Sequence, residues 1–218
     1  MTKQFDLIVW DWDGTLADST GLITKAILLA AEQVGLPAVS SQTARNIIGL
    51  GLKESIYALY GDIPVDQAQS LAVQYTSNYY AGESESPLFN GVTETIMSLN
   101  KRGFKQAVAT GKGRRGLNLA LDQSKLGSFF HSTRTVDECF SKPHPQMLNE
   151  LMDYLVVLPE RTLMIGDTSY DLKMAQNAGV PSIGVTYGAQ KSEQWQHLKP
   201  MQQFSNFDSL STWLLTYA

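Results

Sequence analysis

The run Leu7-Ile8-Val9-Trp10 ends abruptly in Asp11-Trp12-Asp13-Gly14-Thr15, and this junction constrains the chain more than any other. Four consecutive apolar residues without polar alternation predict a strand buried on both faces, as inside a parallel sheet. Sheets of that kind bind ligands just past the carboxyl ends of their strands. Residues two apart on an extended chain project from the same side, which places Asp11 and Asp13 together. Two carboxylates held close repel unless a cation joins them or one takes a proton. A surface turn is the plainer alternative, because Asp and Gly favour turns for local reasons. A calcium loop fits poorly: counted from Asp11, the position where that loop needs Gly is Leu16.

At 218 residues the chain can bury a full core, as one large domain or as a domain with an insert. Hydrophobic residues make up 43% and charged residues 17%, which excludes a disordered chain. A net charge of -4 supplies no basic field for nucleic acid or anionic lipid, so neither is expected as a partner. Cys139 is the only cysteine, which removes a disulfide framework and a thiolate metal cage and leaves it as a small packing residue. The apolar run near the start is too short for a signal peptide, and no run approaches membrane-spanning length. A cytoplasmic protein, monomer or homodimer, is the expectation.

After Thr15 the pattern turns helical and stays so. Leu22, Ala26, Leu29 and Ala30 recur at helical spacing until Gly35-Leu36-Pro37. Shorter helices are predicted over 41–48 and 53–60, and a longer one over 65–80. A polar linker over 82–87 follows. Helix and strand then alternate: helices over 92–101, 115–124, 145–154, 170–178 and 207–215, strands over 104–109, 132–136, 162–165 and 183–186. This alternation predicts an α/β fold, a Rossmann-like parallel sheet with helices on both faces. The helical block interrupts it after the first strand. We therefore expect a core domain of residues 1–17 and 86–218 and an all-helical cap of residues 18–85, hinged near 16–19 and 82–87.

Three more polar clusters follow strands or open helices. They are Thr110-Gly111-Lys112, Ser141-Lys142-Pro143-His144-Pro145, and Gly166-Asp167-Thr168-Ser169-Tyr170-Asp171. Each has a bland reading: a turn, a solvated lysine, a helix cap. Their recurrence at successive strand ends is what points to one crevice shared by Asp11, Asp13, Thr110 and Asp167. Lys112, Arg114 and Arg115 read more readily as solvated at a helix start than as substrate contacts. Arg45, beside Gly49-Leu50-Gly51, reads equally as a crevice residue or a surface ion pair. His131, His144 and His197 have no metal-site spacing.

These four clusters, in this order, resemble the haloacid dehalogenase superfamily, in particular its phosphoglycolate-phosphatase-like branch with a helical cap. The resemblance covers essentially the whole chain. Trp10, Trp12 and Asn90 stand where other residues are commoner. It implies a phosphoric monoester hydrolase acting on a small phosphorylated metabolite, phosphoglycolate-like or a sugar phosphate, through an aspartyl-phosphate. By the same resemblance Asp11 is the nucleophile, and Asp13 protonates the leaving alcohol and then activates water. Thr110, Gly111 and Lys142 bind the phosphoryl group, and Asp171 holds Lys142 or a metal-bound water. Asp11, the main-chain carbonyl of Asp13, and Asp167 would bind Mg2+, a cation suited to a site of few carboxylates completed by water and phosphate.

Other members and other classes compete. An acid at Asp13 disfavours the dehalogenases and phosphonate-cleaving members. A sugar-phosphate mutase keeps both aspartates, but carries a His where this chain has Ile23. A pyrophosphatase or nucleotidase would use the same site. A phospho-accepting signalling receiver also uses Asp, Thr, Lys and Mg2+, but the Asp11-x-Asp13 spacing and the helical insert disfavour it, and nothing in the motifs suggests a silent binding protein.

Overall fold

The computed structural model describes residues 3–82 and 86–218. Six strands form one parallel sheet in the order β3-β2-β1-β4-β5-β6. They are β1 (Leu7–Trp10), β2 (Lys105–Thr110), β3 (Ser132–Thr135), β4 (Thr162–Gly166), β5 (Ser182–Val185) and β6 (Gln202–Phe204). β1 lies at the centre, with Val9 opposite Ala107 on one side and Met164 on the other. The chain builds outward from β1 to β3, returns to β4, and builds outward the other way. That reversal is a topological switch point, where open α/β sheets leave a crevice past their strand ends.

The apolar run of β1 is explained by its neighbours. Leu7 and Val9 face one layer, with Ala107, Met164 and the helices α7 (Gln146–Leu155) and α8 (Ser169–Asn177). Ile8 and Trp10 face the other, with Leu163, Ile165 and the helices α5 (Val92–Lys101), α6 (Arg114–Ser124) and α9 (Phe207–Tyr217). Period-two alternation thus places an apolar side chain into each layer, and complete burial of each is worth about 1.5–3 kcal/mol. Trp10 fills its layer by stacking on Phe207, while its indole N–H donates to Gln106 Oε1 at 3.3 Å.

Four helices fall between β1 and α5: α1 (Thr20–Gln33), α2 (Ser41–Asn46), α3 (Leu52–Tyr60) and α4 (Val65–Gly82). They have their own apolar centre, with Ile27, Ala30, Ala44, Ile56 and Leu71 buried together. Most expected elements are present within a residue or two. Two differences have physical causes. The helix expected over 41–48 stops at Asn46, because the chain turns and Gly49 takes a φ of +101° that no helix allows. The last strand, Gln202–Phe204, was not expected. It is a three-residue edge strand with exposed glutamines, and so carries no apolar signal. Ser19 occupies the cap position of α1 without capping it. In the linker expected over 82–87, residues Glu83, Ser84 and Glu85 lie outside the described residues. No helix among the described residues is long and apolar enough to cross a membrane.

Candidate active site

Asp11 follows β1 and Asp167 follows β4, so two adjacent strands at the switch point deliver them side by side. Asp171 lies one helical turn further along α8. Each of the three buried carboxylates offers an oxygen within 4.8 Å of the others. Lys142, in the loop before α7, reaches into this group and is itself fully buried. Its ammonium donates to Asp11 Oδ1 at 2.5 Å and Asp171 Oδ1 at 2.6 Å. Asp171 Oδ2 accepts from the main-chain N–H and the hydroxyl of Thr168, at 3.0 and 2.6 Å, in a capping box that starts α8. Asp167 is held by the Thr15 hydroxyl at 3.1 Å and the Ala189 N–H at 2.6 Å.

Three carboxylates share one ammonium here, so the site lacks positive charge. Burial raises Asp11 well above the ordinary carboxylate range; Lys142 opposes this, while Asp171 and Asp167 add to it. Burial and the neighbouring Asp171 raise Asp167 to about 7. Burial works against the charge on Lys142, but Asp11 and Asp171 outweigh it and push its pKa above the ordinary lysine range. Asp11 Oδ2 is buried without a hydrogen-bond partner. An orphaned oxygen among carboxylates in charge deficit is the donor set that a hard divalent cation fits.

The backbone is cut to bring these groups close. Gly14, at φ +86°, lies so near Asp167 that a Cβ there would sit 2.3 Å from Oδ2. A Cβ on Gly166 would meet the Asp171 carboxyl at the same distance. Gly166 follows from close packing at the carboxylate alone, whereas Gly14 is required both by that packing and by its left-handed turn backbone.

Asp13 is held in a separate group. Its Oδ1 accepts from the Ser19 hydroxyl at 2.7 Å and from Lys112 Nζ at 3.0 Å. This accounts for the uncapped start of α1: the hydroxyl that would cap the helix is turned to Asp13. Lys112 also donates to the Tyr79 hydroxyl of α4 at 2.7 Å. Burial opposes its charge, but Asp13 and Tyr79 outweigh that and hold it above the ordinary lysine range. The reading of Lys112 as solvated is therefore corrected. Sequence spacing could not show that Asp13 and Tyr79 converge on it from distant parts of the chain.

Thr110 ends β2, buried, with its hydroxyl accepting from the Lys112 N–H at 3.1 Å. Gly111 lies directly under the turn between α2 and α3: a Cβ there would sit 2.5 Å from the Gly49 carbonyl oxygen and 2.6 Å from that of Leu50. The turn and the end of α2 are fastened to the sheet side by further hydrogen bonds, including two from Gln190 and Gln194 to Asn46. Arg45 donates to the Gly188 carbonyl at 3.0 Å, the Gly51 N–H to the Ser141 hydroxyl at 2.9 Å, and the Tyr170 hydroxyl to the Asn46 carbonyl at 3.1 Å. Arg45 thus reaches across to the sheet side, to the main chain packed against Asp167, and makes no ion pair among the described residues. Between the helical block and the sheet edge lies a cavity of about 240 Å3, onto which Asp11, Asp13, Thr110, Gly111 and Lys112 open. Lys142, Asp167 and Asp171 are buried and do not line it. His144 accepts from the Gln146 N–H at a helix start, and Cys139 packs in the apolar layer, as expected of both.

Residues 8–185 match the sequence profile of the haloacid dehalogenase-like hydrolases. The phosphoglycolate phosphatase of Vibrio parahaemolyticus is 33% identical over 88% of this chain and 89% of its own length. The pyrophosphatase PpaX of Bacillus mycoides is 28% identical over 84% of this chain and 85% of its own. Among solved structures, a hydrolase from Pseudomonas syringae superposes with a TM-score of 0.89, covering 98% of this chain and all of its own; at 20% identity it is similar in fold.

Proposed function

Because the chain belongs to the haloacid dehalogenase-like hydrolases, we propose that it is a Mg2+-dependent phosphatase that hydrolyses a small phosphorylated metabolite through an aspartyl-phosphate. The observation that carries this reading is Asp11. One of its oxygens is anchored by Lys142, the other is buried without a partner, and the residue opens onto the cavity. That is the disposition of a carboxylate nucleophile held in place at one end.

In the proposed reaction a carboxylate oxygen of Asp11 attacks phosphorus while the bond to the leaving oxygen breaks. Asp13 gives that oxygen its proton. Asp13 then takes a proton from water, the water attacks the aspartyl-phosphate, and phosphate leaves with Asp11 restored. Thr110 and the N–H of Gly111 hold phosphoryl oxygens, and Lys142 neutralises charge on Asp11 and the phosphoryl group. Asp171, fixed by Thr168, keeps Lys142 in register. Asp11, the Asp13 carbonyl and Asp167 would hold Mg2+, which supplies the positive charge that lets a phosphate dianion approach a carboxylate. Residues 18–85 act as a cap over the reacting group.

The test is phosphate release from p-nitrophenyl phosphate with and without Mg2+, by the native chain and by Asp11→Asn. We expect Mg2+-dependent release that the variant abolishes while keeping a native circular-dichroism spectrum. Equal release by the variant would refute the nucleophile. A long-lived phosphoenzyme with negligible turnover would favour the receiver reading.

A further inference from the structure

The cavity wall opposite Asp11 is apolar. Ile23, Ile27, Ile48 and Leu52 form it together with Tyr75 and Tyr79, whose ring centroids are 6.1 Å apart. Its volume of about 240 Å3 falls below the roughly 300 Å3 at which pockets for drug-sized ligands begin. A phosphoryl group at Thr110 and Gly111 leaves space there for a compact leaving group.

The charges around that space are unevenly placed. Among the described residues lining the cavity, the one cation is Lys112, and its ammonium is committed to Asp13 and the Tyr79 hydroxyl. The lining carboxylates are Asp11, Asp13 and Asp137. Arg45, near the end of α2 and outside the lining, donates to the Gly188 carbonyl. The lining hydroxyls of Ser55 and Thr76 donate to the carbonyls of Ile47 and Ala72 in their own segments, at 3.4 and 2.7 Å. A second anion on the substrate would lose its water against isoleucine, leucine and tyrosine, and among the described residues lining the cavity there is no uncommitted ammonium or guanidinium to replace it. A polyol would place hydroxyls against the isoleucine and leucine side chains of that wall, where they find no partner.

Building on the phosphatase reading above, we propose that the preferred substrate is a phosphomonoester whose leaving group is uncharged and apolar, no larger than a single ring. Substrates with an anionic second group, phosphoglycolate and pyrophosphate among them, are selected against. The side chains of the cap wall, not the carboxylate centre, set this preference.

The experiment compares kcat/KM of the Mg2+-loaded full chain on phenyl phosphate, 4-carboxyphenyl phosphate, phosphoglycolate, pyrophosphate and glucose 6-phosphate. The two aryl esters differ by one carboxylate, and their leaving phenols are similarly good, so their ratio reports the wall. We expect phenyl phosphate to exceed 4-carboxyphenyl phosphate by about 100-fold and to exceed the other three as well. A Leu50→Lys variant, which places an ammonium at the half-buried rim, should narrow the aryl ratio by about tenfold. Equal or better turnover of 4-carboxyphenyl phosphate or phosphoglycolate by the native chain would overturn the proposal and leave the phosphatase reading standing. An aryl ratio unchanged by Leu50→Lys would also overturn it. No phosphate release from any of the five would overturn both.

Discussion

Gly111→Ala separates cap closure from folding and from catalytic chemistry. The substitution keeps the main-chain N–H that would hold a phosphoryl oxygen, and the backbone at Gly111 lies outside the left-handed region, so Ala adds no backbone strain. What it adds is a methyl group 2.5 Å from the Gly49 carbonyl oxygen and 2.6 Å from that of Leu50. Both obstacles are main-chain atoms of the turn between α2 and α3, so no side chain can rotate away. The turn must withdraw by about 1 Å to restore van der Waals contact, and overpacking of this kind costs about 1–3 kcal/mol. Because that cost falls on the closed arrangement, kcat/KM for p-nitrophenyl phosphate should fall by about 5- to 150-fold. The sheet and its two apolar layers lie elsewhere, so Tm should move by only a few degrees. Hydrogen exchange should rise in residues 46–51, whose N–H and carbonyl groups make the docking contacts. Native kcat/KM with a native Tm would refute the reasoning, because it would mean that the turn does not need this close approach when the substrate reacts.

Asp13→Asn should slow breakdown of the phosphoenzyme far more than its formation from an activated aryl ester, read by rapid-quench phosphate release; a normal dephosphorylation rate would remove Asp13 as the base. Asp167, raised to about 7 in the folded chain against about 4 unfolded, binds more protons folded than unfolded across that window. The Asp167 contribution to the stability of the metal-free chain should therefore fall as pH rises from about 4 to 7, by at most about 1.4 kcal/mol per unit, and Asp11, also raised, adds a loss of the same sign. Since Mg2+ needs the ionised carboxylate, the rise in Tm on adding Mg2+ to EDTA-treated protein should be larger at pH 8 than at pH 5; the opposite order would contradict the assigned ligands. Tyr79→Phe removes a hydroxyl that accepts from the Lys112 ammonium at 2.7 Å. Hydrogen bonds to charged groups contribute about 1.5–3 kcal/mol to stability, so Tm should fall by several degrees, and an unchanged Tm would mean that this bond does not help hold Lys112 in place.

The fold was legible where burial leaves a one-dimensional trace. β1 is an unbroken apolar run because both its faces are covered, and the later alternation of strands and helices follows from parallel pairing. β6 left no trace because Gln202 and Gln203 are exposed on an edge strand. At the site, the residues at strand ends and helix starts could be found from local patterns: Asp11, Thr110, Lys142, Asp167 and Asp171. The residues that hold them could not. Ser19 looks like an ordinary helix cap until its hydroxyl is seen on Asp13, and the Ala189 N–H that fixes Asp167 has no sequence signature at all. Arg45 was ambiguous for the same reason, since its partner is a main-chain carbonyl far along the chain.

Lys112 shows why the two aspartates of the first motif can take different roles although they are two residues apart. The two carboxylates pair with different ammoniums: Asp11 with Lys142, which Asp171 shares, and Asp13 with Lys112. The pair at Asp11 lies entirely within the sheet side, anchored by Asp171 and Thr168 on α8. The pair at Asp13 straddles the boundary, because Lys112 comes from the loop after β2 while Tyr79 and Ser19 belong to the helical block or its threshold. Movement of the block would leave the Lys142–Asp11 ion pair intact and change the partners of Asp13. A nucleophile must be ready whenever substrate arrives, whereas a group that first gives and later takes a proton benefits from surroundings that differ between open and closed forms. The division of partners between the two sides supplies that difference without moving Asp11.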